Sequence, residues 1–309
     1  FWYVSAQPAY PTKPIRIVVP YPAGGATDIL AREAAERLTK ALSQSVIVEN
    51  KAGAAGILGT DAVAKAKPDG YTFLLTITQS VLTNQFLFDK LPYDPRRDLT
   101  MVSILADAQG VLLVNPSLPV DSLGALRRLA AEKKGTLSYG SWGAGSTPHL
   151  IGSHLNAVTG GEMAHVAYKG ESPMLQDLIG GQFQLALASI LTAKPFIDSG
   201  KLRALAVTGD KRSSALPATP TFEEAGMSDI AFKTLSWFAM LCPAGTSEPI
   251  VQKVATELRS FVTLPETQAR MASLGLRPVG STPEQSRAIY TRDWPVLQQM
   301  VKTSGARLE

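Results

Sequence analysis

Two loops in this chain carry the residue types needed to hold an anion without a cationic side chain. The first is Pro20-Tyr-Pro-Ala-Gly-Gly-Ala-Thr-Asp28 and the second is Gly140-Ser-Trp-Gly-Ala-Gly-Ser-Thr-Pro148. Laid over each other, Gly25 falls on Gly145 and Thr27 on Thr147. Each loop follows a short apolar run and precedes a helical one. The first N–H groups of a helix have no partner within it, and the aligned peptide dipoles place partial positive charge at the same end. Glycines let the preceding loop turn its own N–H groups inward and let a ligand approach the backbone. A carboxylate clamped between two such helix starts would accept several charge-assisted hydrogen bonds, each worth about 1.5–3 kcal/mol net. Four of them reach the roughly 8 kcal/mol of micromolar binding, before ordering costs. Either loop alone is also an ordinary strand-to-helix turn, where Gly, Thr and Pro serve capping. Their recurrence in two matching units is what favours anion binding.

Other chemistries find less support. Ser141 and Ser146 lack the Gly-x-Ser-x-Gly frame of a nucleophile elbow: Tyr139 stands at one glycine position and Pro148 at the other. Gly-Lys-Ser/Thr is absent, and neither loop has the spacing of a dinucleotide site. His149 and His154 lie five apart, about 140° around a helix, and cannot share a metal as an i, i+4 pair does. His165 sits in an apolar extended stretch and reads as structural. No metal and no cofactor are expected.

The elements that must position the loops alternate, strand with helix, which predicts an α/β fold with mainly parallel sheets. Ile15–Val19, 46–48 and 72–77 read as strands, with helices from about Leu30 and over 57–67 between them. A strand at 111–114 and a helix from Asp121 lead to a second unit. Its strands are 137–139, 163–167, 183–188 and 202–207. Its helices are 148–158 and one opened by Ser172 as N-cap with Pro173 at the first helical position. A last strand at 236–241 precedes three helices, opened by Ser247-Glu-Pro249 and closed by one from Thr282-Pro283. Two lobes follow, with crossings near 113–116 and 229–236. Lobe one comprises 11–114 and 231–309, and lobe two 115–230.

Composition agrees with a globular chain. Of 309 residues, 18% are charged and 45% hydrophobic, which excludes collagen-like and disordered classes. A net charge of +4, with no basic run longer than two, is too diffuse for a nucleic-acid footprint. Cys242 is the only cysteine, set in an apolar run, and reads as a buried inert thiol. No run of 18 apolar residues would span a membrane. The start, Phe1-Trp-Tyr-Val-Ser-Ala6, reads either as the end of a signal peptide or as a loose terminus.

Both loops, together with Val48-Glu-Asn-Lys-Ala-Gly-Ala-Ala-Gly56, Lys67-Pro-Asp-Gly-Tyr-Thr72, Leu202-Arg-Ala-Leu-Ala-Val207 and Leu216-Pro-Ala-Thr-Pro-Thr-Phe-Glu-Glu-Ala-Gly226, give the chain its resemblance to a known family. From about Pro14 to Glu309 it resembles the tripartite tricarboxylate transporter receptors, also called Bug proteins. The resemblance implies a type II periplasmic binding protein fold, two α/β lobes around a ligand cleft. It also implies a small carboxylate ligand, a periplasmic location and a monomer that hands its ligand to membrane permease subunits. In orphan members it serves a sensor or no known transporter. Carried over position by position, it places Ala23, Gly24, Gly25, Thr27 and Asp28 of the first loop at the ligand. To these it adds Thr78 and Gln79 at the end of the third strand, and Ser141, Trp142, Ser146 and Thr147 of the second loop. Tyr168 in the Tyr-basic-Gly turn and Ser189 near the ligand's far end complete the set. Trp142 stands where many members have a small residue, which suggests a narrower or aromatic-friendly pocket. Ala188-Ser189 is less polar than the family pattern, against a far-end ammonium.

Asp28 is expected to point away from a bound anion, as a first-turn acid or a brace for the loop. Tyr21 and Tyr168 suit core packing as well as a ligand wall, and Lys169 suits solvent. Trp142 and the Phe86/Phe88 neighbourhood lean toward an aromatic acid or a longer dicarboxylate. The alternative to a receptor is an enzyme or sensor domain on the same fold. For the enzyme, His149 is the one candidate base, with no orienting partner visible in the sequence.

Overall fold

The computed structural model describes residues 10–308. The aromatic stretch Phe1–Ala6 lies outside them. Along the chain, β1 (Ile15–Val19), α1 (Ala26–Leu42), β2 (Val46–Asn50), α2 (Ile57–Ala64) and β3 (Thr72–Ile77) form a parallel unit in the order β2-β1-β3. The apolar stripe Leu30, Ala31, Ala34, Ala35, Leu38 of α1 is buried, and each fully buried leucine there contributes about 1.5–3 kcal/mol. Two short turns of helix, α3 (Asn84–Leu87) and α4 (Pro95–Asp98), lead to β4 (Leu99–Ala108).

The chain then changes sheets. β5 (Gly110–Val114) pairs antiparallel with β8 and β9 of a second sheet, whose elements follow in order. They are α5 (Leu123–Glu132), β6 (Ser138–Ser141), α6 (Thr147–Thr159), β7 (Ala164–Ala167), α7 (Glu171–Ile179), β8 (Leu185–Ser189), α8 (Ile190–Asp198) and β9 (Arg203–Val207). β10 (Ser236–Pro243) returns to the first sheet between β3 and β4. α9 (Glu248–Val262), α10 (Pro265–Ser273), the edge strand β11 (Leu276–Pro278) and α11 (Pro283–Ser304) complete lobe one. α11 opens with a full capping box, Thr282 with Gln285. It packs on β4 and also along α6, so it touches both lobes.

The sheet orders are β11-β4-β10-β3-β1-β2 and β7-β6-β8-β5-β9. Apart from β11 they repeat one topology: a parallel trio, an inserted return strand and a fourth strand. This is the two-lobe α/β architecture expected from the sequence, with three corrections. The sheets are mixed, not mainly parallel by pairing, because β10 and β5 enter antiparallel after each crossing. The first crossing falls at Gln109, not at 113–116, since Val111-Leu-Leu-Val114 belongs to the second sheet. α7 begins at Glu171 with Gly170 as N-cap at φ +118°, so Ser172 and Pro173 lie inside its first turn. Pro is tolerated there because those N–H groups have no intrahelical acceptor.

Candidate functional site

Between the lobes lies a cleft of about 120 Å³. Its polar side is built by Thr78 and Gln79 after β3, Ser236 at the start of β10, and Ser146 and Thr147 at the start of α6. Trp142 and Gly145 of the second loop also line it, and its floor is Leu150 and Ile151 of α6 with Leu297 and Met300 of α11. Thr147 and Ser236 meet across it, hydroxyl to hydroxyl, at 2.9 Å. Thr78 Oγ1 accepts the Trp237 N–H at 2.8 Å, which ties β3 to β10 at the rim. Among the described residues, no Lys, Arg, Asp or Glu lines it.

The second loop is wound tightly. Gly143 (φ +145°) and Gly145 (φ +73°) take backbone conformations that L side chains rarely adopt. Ser146 Oγ donates to the Gly143 carbonyl at 2.6 Å. The Gly143 N–H is bonded to Ser141 Oγ at 3.2 Å and the Gly145 N–H to His149 Nδ1 at 3.0 Å. The N–H groups of Ala144, Thr147 and His149 have no hydrogen bond among the described residues, and Pro148 has none to give.

The first loop does not line this cleft. Ala23, Gly24 and Gly25 are exposed, while Thr27 and Asp28 are buried at the start of α1. The N–H groups of Ala26, Thr27 and Asp28 are unbonded among the described residues. Asp28 braces the loop: its carboxylate accepts from Gly24 N (2.9 Å), Arg32 Nε (3.0 Å) and Asn50 Nδ2 (2.9 Å). Burial pushes its pKa up, but those hydrogen bonds and Arg32 outweigh burial and hold it below the usual carboxylate range. It has little left to offer a ligand.

Three further candidates are turned inward. Ser141 is fully buried, with its hydroxyl on Gly143 and 2.7 Å from His165 Nε2. The Tyr168 hydroxyl donates to Asp177 at 2.8 Å. Ser189 is the N-cap of α8, and its N–H (2.6 Å) and hydroxyl (2.8 Å) both donate to Glu171. Phe86 packs edge-on against Trp294 at 5.0 Å, and Phe88 bridges to Leu308, so neither faces the cleft. That removes their part of the case for an aromatic ligand. Cys242 is buried in β10, its thiol pushed up to about 11 by burial.

Beside the first loop, Gly53, Ala54, Ala55 and Gly56 have φ of +138°, +47°, +52° and +87°. A left-handed conformation costs an L residue roughly 1–2 kcal/mol, partly offset by the entropy that glycine loses on folding. The buried Asn84 holds this run from beneath, donating to the Ala55 carbonyl at 3.0 Å. Ala55→Gly is therefore expected to raise stability by about 0.5–1 kcal/mol, read as a higher urea midpoint at unchanged slope.

The family model for the tripartite tricarboxylate transporter family receptor (TctC) matches residues 30–300. Protein BugT of Bordetella pertussis is 36% identical over 307 residues, covering 99% of this chain and 93% of that protein. The adipate-bound structure of R. palustris Rpa4515 is 35% identical, covers 97% of this chain and all of its own, and superposes with a TM-score of 0.78. A TctC solute binding protein from Polaromonas, without ligand, is 26% identical over 95% of this chain and 99% of its own, with a TM-score of 0.84. The chain belongs to the tripartite tricarboxylate transporter receptor family, the Bug proteins, and has their periplasmic binding protein fold.

Proposed function

We propose that this chain is a receptor that captures a small carboxylate between its lobes and delivers it to membrane permease subunits in the periplasm. The observation that carries this is the start of α6: a helix N-terminus with unbonded N–H groups opens on a cleft lined from both lobes by hydroxyl and amide groups. Backbone donors and a helix dipole suit an anion where no cation is present. The first loop joins by closure. Its own free N–H groups sit at the start of α1, and swinging the lobes about Gln109 and the β9–β10 connection brings them toward the same anion. Trp142, Ser146, Thr147, Thr78, Gln79 and Ser236 are the side chains we assign to the ligand from the side already assembled.

The enzyme reading has one candidate base, and its surroundings disfavour it. His149 is 5% exposed, its Nδ1 is taken by Gly145, and burial with the neighbouring His165 pushes it down to about 4. A general base near neutral pH needs the opposite. No helix of the described residues is long and apolar enough to cross a membrane.

A thermal-shift screen against small carboxylates, with adipate and malate as first probes, tests the reading. A saturable rise in melting temperature, with the probe recovered unchanged, is the expected result. No shift with any carboxylate, or conversion of a hit, would overturn it.

A further inference from the structure

Beneath the second loop two imidazoles lie face to face. The rings of His149 (α6) and His165 (β7) are 3.8 Å apart between centroids and 5° from parallel. Tyr139 of β6 stacks on His165 at 5.1 Å. Each imidazole holds one of the two glycines that shape the loop. His149 Nδ1 accepts the Gly145 N–H directly. His165 Nε2 bonds Ser141 Oγ, which in turn accepts the Gly143 N–H. An Nδ1 that accepts a hydrogen bond is bare, so His149 is neutral and carries its proton on Nε2.

The groups facing the pair are Tyr139 and Ser141 on β6, the loop itself, and each ring for the other. Burial lowers the proton affinity of both, His165 adds to the effect on His149, and no carboxylate or ammonium contributes.

We propose that His149 is a positioning residue for the anion loop, and that adding a proton to the His149–His165 pair releases the loop and the ligand it holds. This rests on the receptor reading for the ligand but not for the loop. A proton on Nδ1 turns an acceptor into a donor pointing at another donor, the Gly145 N–H. That bond must break, and the turn that aims the Ala144, Thr147 and His149 N–H groups loses its fixed point. A charge on one ring also resists a charge on its stacked partner.

Two measurements on the full chain separate the loop from the ligand. In nitrogen-15 NMR without ligand, from about pH 7 down to about pH 3.5, His149 is expected as the Nε2-H tautomer with a midpoint near 4. The Gly145 amide is expected to move with the same midpoint. Titration near the ordinary 6.5, or a Gly145 amide that ignores the ring, would overturn the proposal whatever the protein binds. In the second, adipate affinity is measured at about pH 7 for His149→Ala and His149→Asn. The asparagine Oδ1 offers an acceptor where Nδ1 stood. The alanine variant is expected to lose about tenfold, the worth of one charge-free hydrogen bond, and the asparagine variant to recover most of it. Equal losses in both would leave His149 a packing residue only. Failure of adipate to bind the unsubstituted chain counts against that ligand, and the NMR result then decides the loop alone.

Discussion

Ser146→Asp is expected to eliminate carboxylate binding while leaving the fold as stable as before. Ser146 is the N-cap of α6, and its hydroxyl donates to the Gly143 carbonyl instead of accepting from the helix. Aspartate is among the best N-cap residues, and its carboxylate would accept the His149 N–H, gaining about what the lost Ser146–Gly143 bond contributed. The cradle would then hold a resident anion. A ligand carboxylate about 4 Å away would meet roughly 4 kcal/mol of repulsion at an effective dielectric near 20, and would lose the same donor. Salt reduces this, so a fall of at least about 100-fold in affinity is the conservative figure. Calorimetric titration with adipate, beside a melting curve, reads both halves. Ser146→Asn, a neutral cap of similar shape, should keep much of the affinity. If Ser146→Asp binds as tightly as the original chain, the start of α6 does not hold the anion.

The two Gly-rich loops were legible in the sequence because they are local. A glycine pair, a hydroxyl residue and a helical period are enough to announce a helix start: α6 begins one residue before the expected 148, whereas α1 begins at Ala26, four residues before Leu30, where the apolar period first shows. The capping box of α11 and the Pro at the start of α9 are equally local. What stayed hidden depends on distant partners. β4 is a ten-residue strand between β11 and β10 in the first sheet, yet Leu99–Ala108 has neither clean alternation nor turn residues, because both of its faces are covered. The sequence alone does not place β5 in the second sheet, since an apolar run carries no label saying which sheet will bury it. The same holds for the site. Ser236 reaches Thr147 from 89 residues away, and the imidazole stack forms because α6 packs over β6 and β7. Ser189 looked free until α7 brought Glu171 onto it. Residue types announce what a loop can do; only the fold decides which of those groups remain unbonded to do it.

Gly59→Ala is expected to cost about 3 kcal/mol, an unusual penalty for one methyl group in a helix. Alanine ordinarily stabilises a helix interior by about 1 kcal/mol over glycine. At Gly59 the added Cβ would lie 2.7 Å from Pro20 Cβ, 2.8 Å from Pro20 Cα and 2.8 Å from the Lys51 carbonyl oxygen. None of these is the end of a flexible side chain, so none can rotate away. α2 must lift off the ends of β1 and β2, and overpacking of this kind typically costs 1–3 kcal/mol, with rigid neighbours at the upper end. For a chain of this size that corresponds to a melting temperature lower by roughly 5 °C. Gly124 supplies the control of opposite sign. It lies in α5, its Cβ would meet only the tip of Arg128 at 3.9 Å, and Gly124→Ala should hold or raise the melting temperature. The clash at Gly59 also reaches function, because Pro20 begins the first loop. Lifting α2 moves the strut against which that loop is set, so carboxylate affinity should fall further than the loss of folded protein accounts for. A Gly59→Ala protein that melts with the original chain would mean that α2 is free to shift, and that the first loop is not braced from this side.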